Sequence, residues 1–133
     1  MKIKNVIFEN EQYFETIGKI HKSDKLSVMD AYRINRLVKK LNELNTEYLD
    51  LKQKIFAQYG TPGDEGILQI EQENREAFTA EYKDLLDIEH DLKTEMLPFP
   101  SKLKDGISAL DLNIMELFFD LSGFEEEIKT EKE

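Results

Sequence analysis

The amino-acid sequence predicts a mostly α-helical protein in which a long antiparallel helical hairpin is joined by two shorter helices. The first observation is an apolar stripe whose members alternate three and four residues apart, as on one face of a long helix. We call it the seam: Ile34, Leu37, Leu41, Leu44, Tyr48, Leu51 and Ile55. The second observation is another apolar stripe that follows a short loop. The third is a composition of 40% hydrophobic and 35% charged residues, which is typical of a folded chain.

The N-terminal arm, residues 1–25, is expected to hold the first short helix. Lys2–Phe8 is short and rich in β-branched residues, so it favours either a strand or the start of a helix. A strand here, or a short extended piece expected over Gly66–Ile70, would be the small β element of the fold. Glu9–His21 then predicts a helix, because three apolar residues share one face: Tyr13, Ile17 and Ile20.

The long helix is predicted over Val28–Tyr59, which at 1.5 Å per residue gives a length of about 48 Å. Ser27 precedes it as an N-cap, and Asp30 follows three residues later, as in a capping box. Gly60 is expected to end the helix in the left-handed conformation. Pro62 cannot continue a helix, which supports the same end point.

The loop Thr61–Gly66 separates the long helix from a second helix, predicted over Glu71–Leu92. The apolar positions of the second helix are Phe78, Tyr82, Leu85, Leu86, Ile88 and Leu92. Because the loop is short relative to the helices, the two should lie antiparallel as a hairpin over residues 26–95. The seam alone is also typical of a coiled-coil oligomer. The second stripe favours packing within the same chain.

Residues 96–123 are expected to form an extended crossing segment followed by the last helix. Pro98 and Pro100 exclude a continuous helix in the crossing segment. Ser108 is the predicted N-cap of a helix over Ala109–Ser122, with an aspartate at its third position. An acidic tail of residues 124–133 ends the chain, whose 133 residues fit a single helical domain.

The last predicted helix is apolar on two sides. Its main stripe consists of Leu110, Ile114, Leu117 and Leu121. Leu112, Met115 and Phe119 lie on the opposite side. Either the helix is buried between two layers, or these three residues bind a partner protein or a second copy. Burial of each would contribute about 1.5–3 kcal/mol, which is enough to drive association.

Charge is distributed unevenly along the chain, whose net charge is −10. Residues 1–40 carry nine Lys and Arg against five Asp and Glu, a net +4, so the remainder carries −14. From the basic stretch on the long helix we select Arg33, Arg36 and Lys40 as candidate partner-binding residues. They suit a phosphate backbone or an acidic protein, and an ordinary solvated face is the simplest alternative. The overall acidity and the absence of a nucleic-acid motif disfavour nucleic acid.

No motif for catalysis, cofactor binding or metal binding is legible, so we predict a non-enzymatic protein without a cofactor. The absence of Cys excludes disulfides and thiolate metal sites. His90 is flanked by Asp87, Glu89 and Asp91. On a helix only Asp87 would share its face, which predicts a solvated histidine. Glu89 is expected near solvent or beside a Lys or Arg, and His21 is expected to cap a helix C-terminus.

Three stretches within roughly residues 25–121 share an order of elements with a known family: KLSVMDAYRINRLVKKLNELNTEYLDLKQKIFAQYG, ENREAFTAEYKDLLDIEHDL and ISALDLNIMELFFDL. The order is a helix ending in Tyr-Gly, an acidic turn, a Phe-containing helix with a Leu-Leu pair, and a late capped helix. In this the chain resembles small proteins of unknown function from tailed bacteriophages and prophages of Gram-positive bacteria. Pro98 and Pro100 depart from the family pattern. The resemblance implies a phage protein in the host cytoplasm or the virion, and it implies no activity or site residue.

These observations predict a phage accessory protein that binds a host or phage protein, or associates with itself. One alternative is an acidic inhibitor that presents carboxylates in place of phosphates to a host defence or DNA-processing enzyme. Another is a structural or assembly component of the virion. No apolar run approaches the roughly 20 residues that span a bilayer, so membrane insertion is not expected.

Overall fold

The computed structural model describes residues 1–93, 95–100 and 107–121. The protein is mostly α-helical, which confirms the predicted fold class. Its helices are α1 (Glu11–His21), α2 (Val28–Tyr59), α3 (Arg75–Asp87) and α4 (Ala109–Met115). Its strands are β1 (Lys2–Lys4), β2 (Gly60–Pro62), β3 (Leu68–Ile70), β4 (Glu89–Asp91), β5 (Leu97–Pro98) and β6 (Phe119–Asp120). The strands pair in twos: β1 with β4 and β2 with β3 antiparallel, and β5 with β6 parallel.

α2 has the predicted bounds, and Ser27 Oγ accepts a hydrogen bond from the Asp30 amide at 3.1 Å, as its N-cap role requires. The prediction of a left-handed Gly60 is wrong. Gly60 is extended, with φ −86° and ψ 145°, because the chain passes directly into the β2–β3 hairpin. Glycine is needed there for space, since a Cβ would lie 2.5 Å from the Phe56 carbonyl oxygen.

α3 packs antiparallel against α2, which confirms the helical hairpin. Phe78, near the start of α3, contacts Tyr59 and Phe56 near the end of α2, whereas Tyr82 reaches back to Tyr48. The rings of Phe56 and Phe78 lie 5.2 Å apart.

α3 is shorter than the predicted helix over Glu71–Leu92, so the helical placement of Glu89 and His90 is wrong. A 3-10 turn occupies Gln72–Asn74, and β4 follows the helix. The N-terminal arm causes α3 to end early, at Asp87. The Asn5 side-chain amide donates to the Leu85 carbonyl, and the Asn5 backbone amide donates to the Ile88 carbonyl. These bonds satisfy the carbonyls at the end of α3 and place β1 beside β4.

α1 begins two residues later than predicted, after a 3-10 turn at Asn5–Glu9, and its N-cap is Asn10. α4 has the predicted cap, a complete capping box between Ser108 and Asp111. The prediction that this helix continues to Ser122 is wrong. α4 ends at Met115 because the chain turns to pair β6 with β5, and the Phe118 carbonyl accepts from the Leu97 amide. The predicted acidic tail lies outside the described residues.

The core is one cluster of buried apolar side chains, to which every helix contributes. α1 packs against both α2 and α4. The first five seam residues are buried: Ile34, Leu37, Leu41, Leu44 and Tyr48. The last two are not, since Leu51 is 41% exposed and Ile55 is half-buried.

Candidate functional site

The predicted partner-binding face on the last helix is part of the core. Met115 and Phe119 are buried, and Leu112 is half-buried. The partner-binding prediction is therefore wrong for Met115 and Phe119. Burial of both sides between two layers is not observed either, since Leu110 and Leu117 of the predicted main stripe are 60% and 38% exposed. The Phe99 ring, beyond β5, packs edge-on against Phe119 with ring centroids 6.5 Å apart. Phe118, which is also buried, lies against Tyr13 of α1.

The other three candidates, Arg33, Arg36 and Lys40, come together along one wall of a groove of about 430 Å³. With Leu37 they follow the i, i+3, i+4, i+7 spacing, so one face of α2 forms this wall. The remaining lining residues are Tyr32, Leu92 and Leu97. We call this feature the basic groove.

The basic groove has an apolar floor beneath its cations. Leu37 and Leu92 are buried, and Leu97 is half-buried. Backbone bonds fix the part of this floor that faces α2. The Leu92 amide donates to the Met1 carbonyl at 2.9 Å, and the Leu97 amide donates to the Phe118 carbonyl at 2.9 Å. The groove is therefore lined by two parts of the chain that are distant in sequence, and bonds to Met1 and Phe118 hold the second part in place.

The cations of the groove are partly oriented before any ligand binds. Arg36 Nη1 donates to the Tyr32 hydroxyl at 3.1 Å, and its guanidinium lies 5.7 Å from the centroid of the Tyr32 ring. Arg33 is 3.7 Å from the Asp30 carboxylate, an exposed pair of small energetic value. Among the described residues, no carboxylate pairs with Lys40. The groove thus presents an excess of positive charge in a protein of net charge −10.

The sequence predicted the cations on the α2 wall of the basic groove but not the apolar residues that face them. The predictions place Leu92 in a helix and Leu97 in a crossing segment. Their placement depends on the β1–β4 and β5–β6 pairings, which join residues far apart in the chain. The only local signal for the position of Leu97 was that it immediately precedes Pro98, because a residue before proline favours an extended backbone.

A first polar cluster, the Glu9 cluster, joins the N-terminal arm to both helices of the hairpin. Glu9 Oε1 accepts hydrogen bonds from Lys52 Nζ at 2.8 Å, from the Tyr82 hydroxyl at 2.7 Å and from the Tyr48 hydroxyl. Partial burial alone would raise the pKa of Glu9, but these donors outweigh it and lower the pKa to about 2. The same carboxylate raises the pKa of Lys52. At neutral pH the acid is ionised and the amine protonated, so neither suits general-base or nucleophilic chemistry.

A second polar cluster, the Asp111 cluster, joins α1 to α4 in the interior. The fully buried carboxylate of Asp111 accepts from Lys19 Nζ at 2.6 Å, Thr16 Oγ1 at 2.7 Å and Gln12 Nε2 at 3.0 Å, as well as from the Ser108 amide. Burial would raise its pKa, but these donors hold the pKa well below the usual range. With its acceptor positions occupied by the fold itself, Asp111 has a structural role.

The residues that resembled a metal site serve other purposes. Glu89 is exposed on β4, with the Lys2 ammonium 3.8 Å away, which confirms the expectation of solvent or a cation. His90 Nε2 hydrogen-bonds with Asn5 Oδ1 at 2.7 Å, so this histidine is not simply solvated. His21 is the last residue of α1, and its Nε2 lies 3.4 Å from Asn35 Oδ1. Within the described ranges, no three His, Asp or Glu residues are grouped as metal ligands.

In residues 1–93, 95–100 and 107–121, no helix combines the length and apolarity needed to cross a bilayer. The resemblance to phage proteins of unknown function stays a prediction. Comparison of the chain with protein-family models, with curated proteins and with solved structures finds no match.

Proposed function

We propose that this chain is a non-enzymatic phage accessory protein that acts by binding another protein. Its basic groove takes a segment of the partner that carries both carboxylates and an apolar side chain. The observation that supports this is that Arg33, Arg36 and Lys40 line the same groove as the apolar floor of Leu37, Leu92 and Leu97. A purely solvated basic face would have no such floor.

The size of the basic groove suits a short peptide segment. Its volume of about 430 Å³ lies within the range of sites that hold small ligands or a few side chains. One apolar side chain of the partner would lie against Leu92 and Leu97. Flanking carboxylates would reach the cations on α2, where bidentate pairing with a guanidinium is available. Such a ligand satisfies both the charge and the apolar surface of the groove.

Peptide binding with matched charge reversals tests this proposal. A fluorescent peptide selected from a library of acidic sequences with one Leu or Phe is titrated with the wild-type protein and with variants. Arg36→Glu and Lys40→Glu should each weaken binding by at least about tenfold, because one attraction becomes a repulsion. Affinity should also fall with added salt.

Lys39→Glu is the matched control, since Lys39 is exposed on the same helix and does not line the groove. It changes the net charge equally and should leave affinity within about threefold of wild type. Equal losses in all three variants would mean that only net charge matters, and the proposal would fail. Selection of peptides that bind the Arg36→Glu variant unchanged would also overturn it.

An acidic mimic of nucleic acid is the second candidate, and the surface around α3 favours it. Six exposed carboxylates follow one another in this part of the chain: Glu71, Glu73, Glu76, Glu81, Asp84 and Asp87. Only Arg75 and Lys83 oppose them there. If the chain acts as a mimic, it should displace DNA from a basic host enzyme, and this competition should weaken steeply with salt. Competition that is unchanged between low and high salt would count against the mimic.

A further inference from the structure

The flank of the helical hairpin carries a second surface, separate from the basic groove. It is a depression of about 350 Å³ between α2 and α3. Its main lining residues, which we call the hairpin flank, are Leu51, Lys54, Ile55, Glu81, Asp84 and Ile88. One face of α2 forms one wall, and one face of α3 together with Ile88, the residue that follows it, forms the other.

The hairpin flank exposes apolar surface that the seam would be expected to bury. Leu51 is 41% exposed, Ile88 is 42% exposed and Ile55 is half-buried, whereas Leu85 beneath them is buried. α1 packs on the earlier part of the seam. In the described part of the chain, no further helix covers the flank. A groove between two antiparallel helices is suited to receive the side chains of a third.

The two walls of the hairpin flank carry opposite charges. Lys54 stands on the α2 wall, and Glu81 and Asp84 stand on the α3 wall. In a pair of hairpins related by a two-fold axis parallel to the helices, the α2 wall of one copy faces the α3 wall of the other. The lysine of each copy then lies opposite the carboxylates of its partner, so this surface is complementary to itself.

We propose that the hairpin flank binds a second copy of this chain, so that two hairpins form a four-helix arrangement. The contact buries Leu51, Ile55 and Ile88 of both copies between two pairs of opposite charges. It leaves the basic groove of each copy free, because no residue lines both surfaces. The dimer would present two grooves to a partner.

Sedimentation velocity of the full chain over a wide concentration range tests this proposal. The wild type should dimerise. Leu51→Glu and Ile88→Glu should raise the dissociation constant by at least about tenfold, because each places a carboxylate in the contact twice. Leu49→Glu is the matched control, since Leu49 is 45% exposed and lies outside the flank. Circular dichroism of each variant verifies that the helices remain folded.

A charge exchange identifies the contact itself. Lys54→Glu and Asp84→Lys should each weaken self-association, because each creates two repulsions in its own homodimer. An equimolar mixture of the two variants should recover dimers, since both charge pairs between positions 54 and 84 of unlike copies are then attractive. A wild type that stays monomeric at all concentrations would overturn the proposal. So would a dimer that the flank variants leave unchanged, or a mixture that recovers nothing. These measurements need no peptide, so they stand or fall apart from the basic groove.

Discussion

The two halves of α2 have the same apolar spacing and different fates. In the first half, Ile34, Leu37 and Leu41 are buried in the core, and α1 packs against α2 with its last residue, His21, beside Asn35. In the second half, Leu51 and Ile55 retain exposed surface beside α3. The spacing therefore identifies the side chains that a helix can bury. The number of elements that reach the helix decides which of them are buried.

The exposed surfaces of the two halves also differ in chemistry. The first half presents three cations above an apolar floor, which suits a ligand of opposite charge. The second half presents apolar side chains between a lysine and two carboxylates, which suits a copy of itself. One helix thus offers two contact surfaces of different kinds, and the following predictions test that division.

The largest expected effect comes from truncating the seam in its two halves. Leu41→Ala should lower the free energy of unfolding by about 3–4 kcal/mol, since Leu41 is fully buried and its removal leaves a cavity. Leu51→Ala should lower the free energy of unfolding by less than about 1 kcal/mol, because much of the Leu51 side chain already contacts water. Urea denaturation at low protein concentration, where self-association is minimal, measures both. Similar losses at the two positions would contradict the division of α2 into a covered and an uncovered half.

The next effect concerns the Asp111 cluster, which anchors the layer that covers the first half of α2. Asp111→Asn should lower the free energy of unfolding by about 2–3 kcal/mol, because the buried donors lose a charged acceptor. Since the pKa of Asp111 is lowered in the folded state, its contribution is present above the unfolded value of 3.8 and is lost as pH falls below it.

Asp30→Asn is the matched control for Asp111→Asn. Both aspartates occupy the third position of a helix with a serine N-cap, but Asp30 has only a long contact to Arg33. The control variant should lower the free energy of unfolding by less than about 0.5 kcal/mol in the same denaturation experiment. A comparable loss at Asp30 would mean that the capping position, and not the buried network, carries the effect.

Local sequence signals were sufficient for the elements that depend on neighbouring residues. The bounds of α2, the Ser27 cap and the Ser108 cap were all predicted, because each depends on residues within one turn. The hairpin was predicted because its loop is short. The capping box at Ser108 was correct even though the length of α4 was not.

Distant pairings account for what the sequence did not reveal. The residues of β4 and β6 have helical patterns, and only β1 and β5, which lie far away in sequence, draw them into sheets. The same pairings place Leu92 and Leu97 opposite the cations of α2, so half of the basic groove could not be predicted. The polar clusters were missed for a similar reason, since Glu9 meets Tyr82 across 73 positions of the chain.

The smallest expected effect concerns the Glu9 cluster, which lies where the covered half of α2 meets the uncovered half. Glu9→Gln should lower the free energy of unfolding by about 1 kcal/mol at pH 7, because it weakens the hydrogen bonds from Lys52 and two tyrosines. The loss is small because solvent partly screens these bonds. The pKa of Glu9 falls from 4.5 to about 2 on folding, so this contribution is complete above pH 4.5 and disappears as pH falls toward 2.

Chemical denaturation of wild type and Glu9→Gln at several pH values between 2.5 and 7 measures this contribution. Glu47→Gln is the control because Glu47 is exposed on α2, next to Tyr48 in sequence. The stability gap between wild type and Glu9→Gln should narrow as the pH is lowered, whereas Glu47→Gln should follow wild type throughout. A gap that stays constant with pH would mean that the shape of the Glu9 side chain matters and its charge does not. The junction between the halves of α2 would then be held by packing alone.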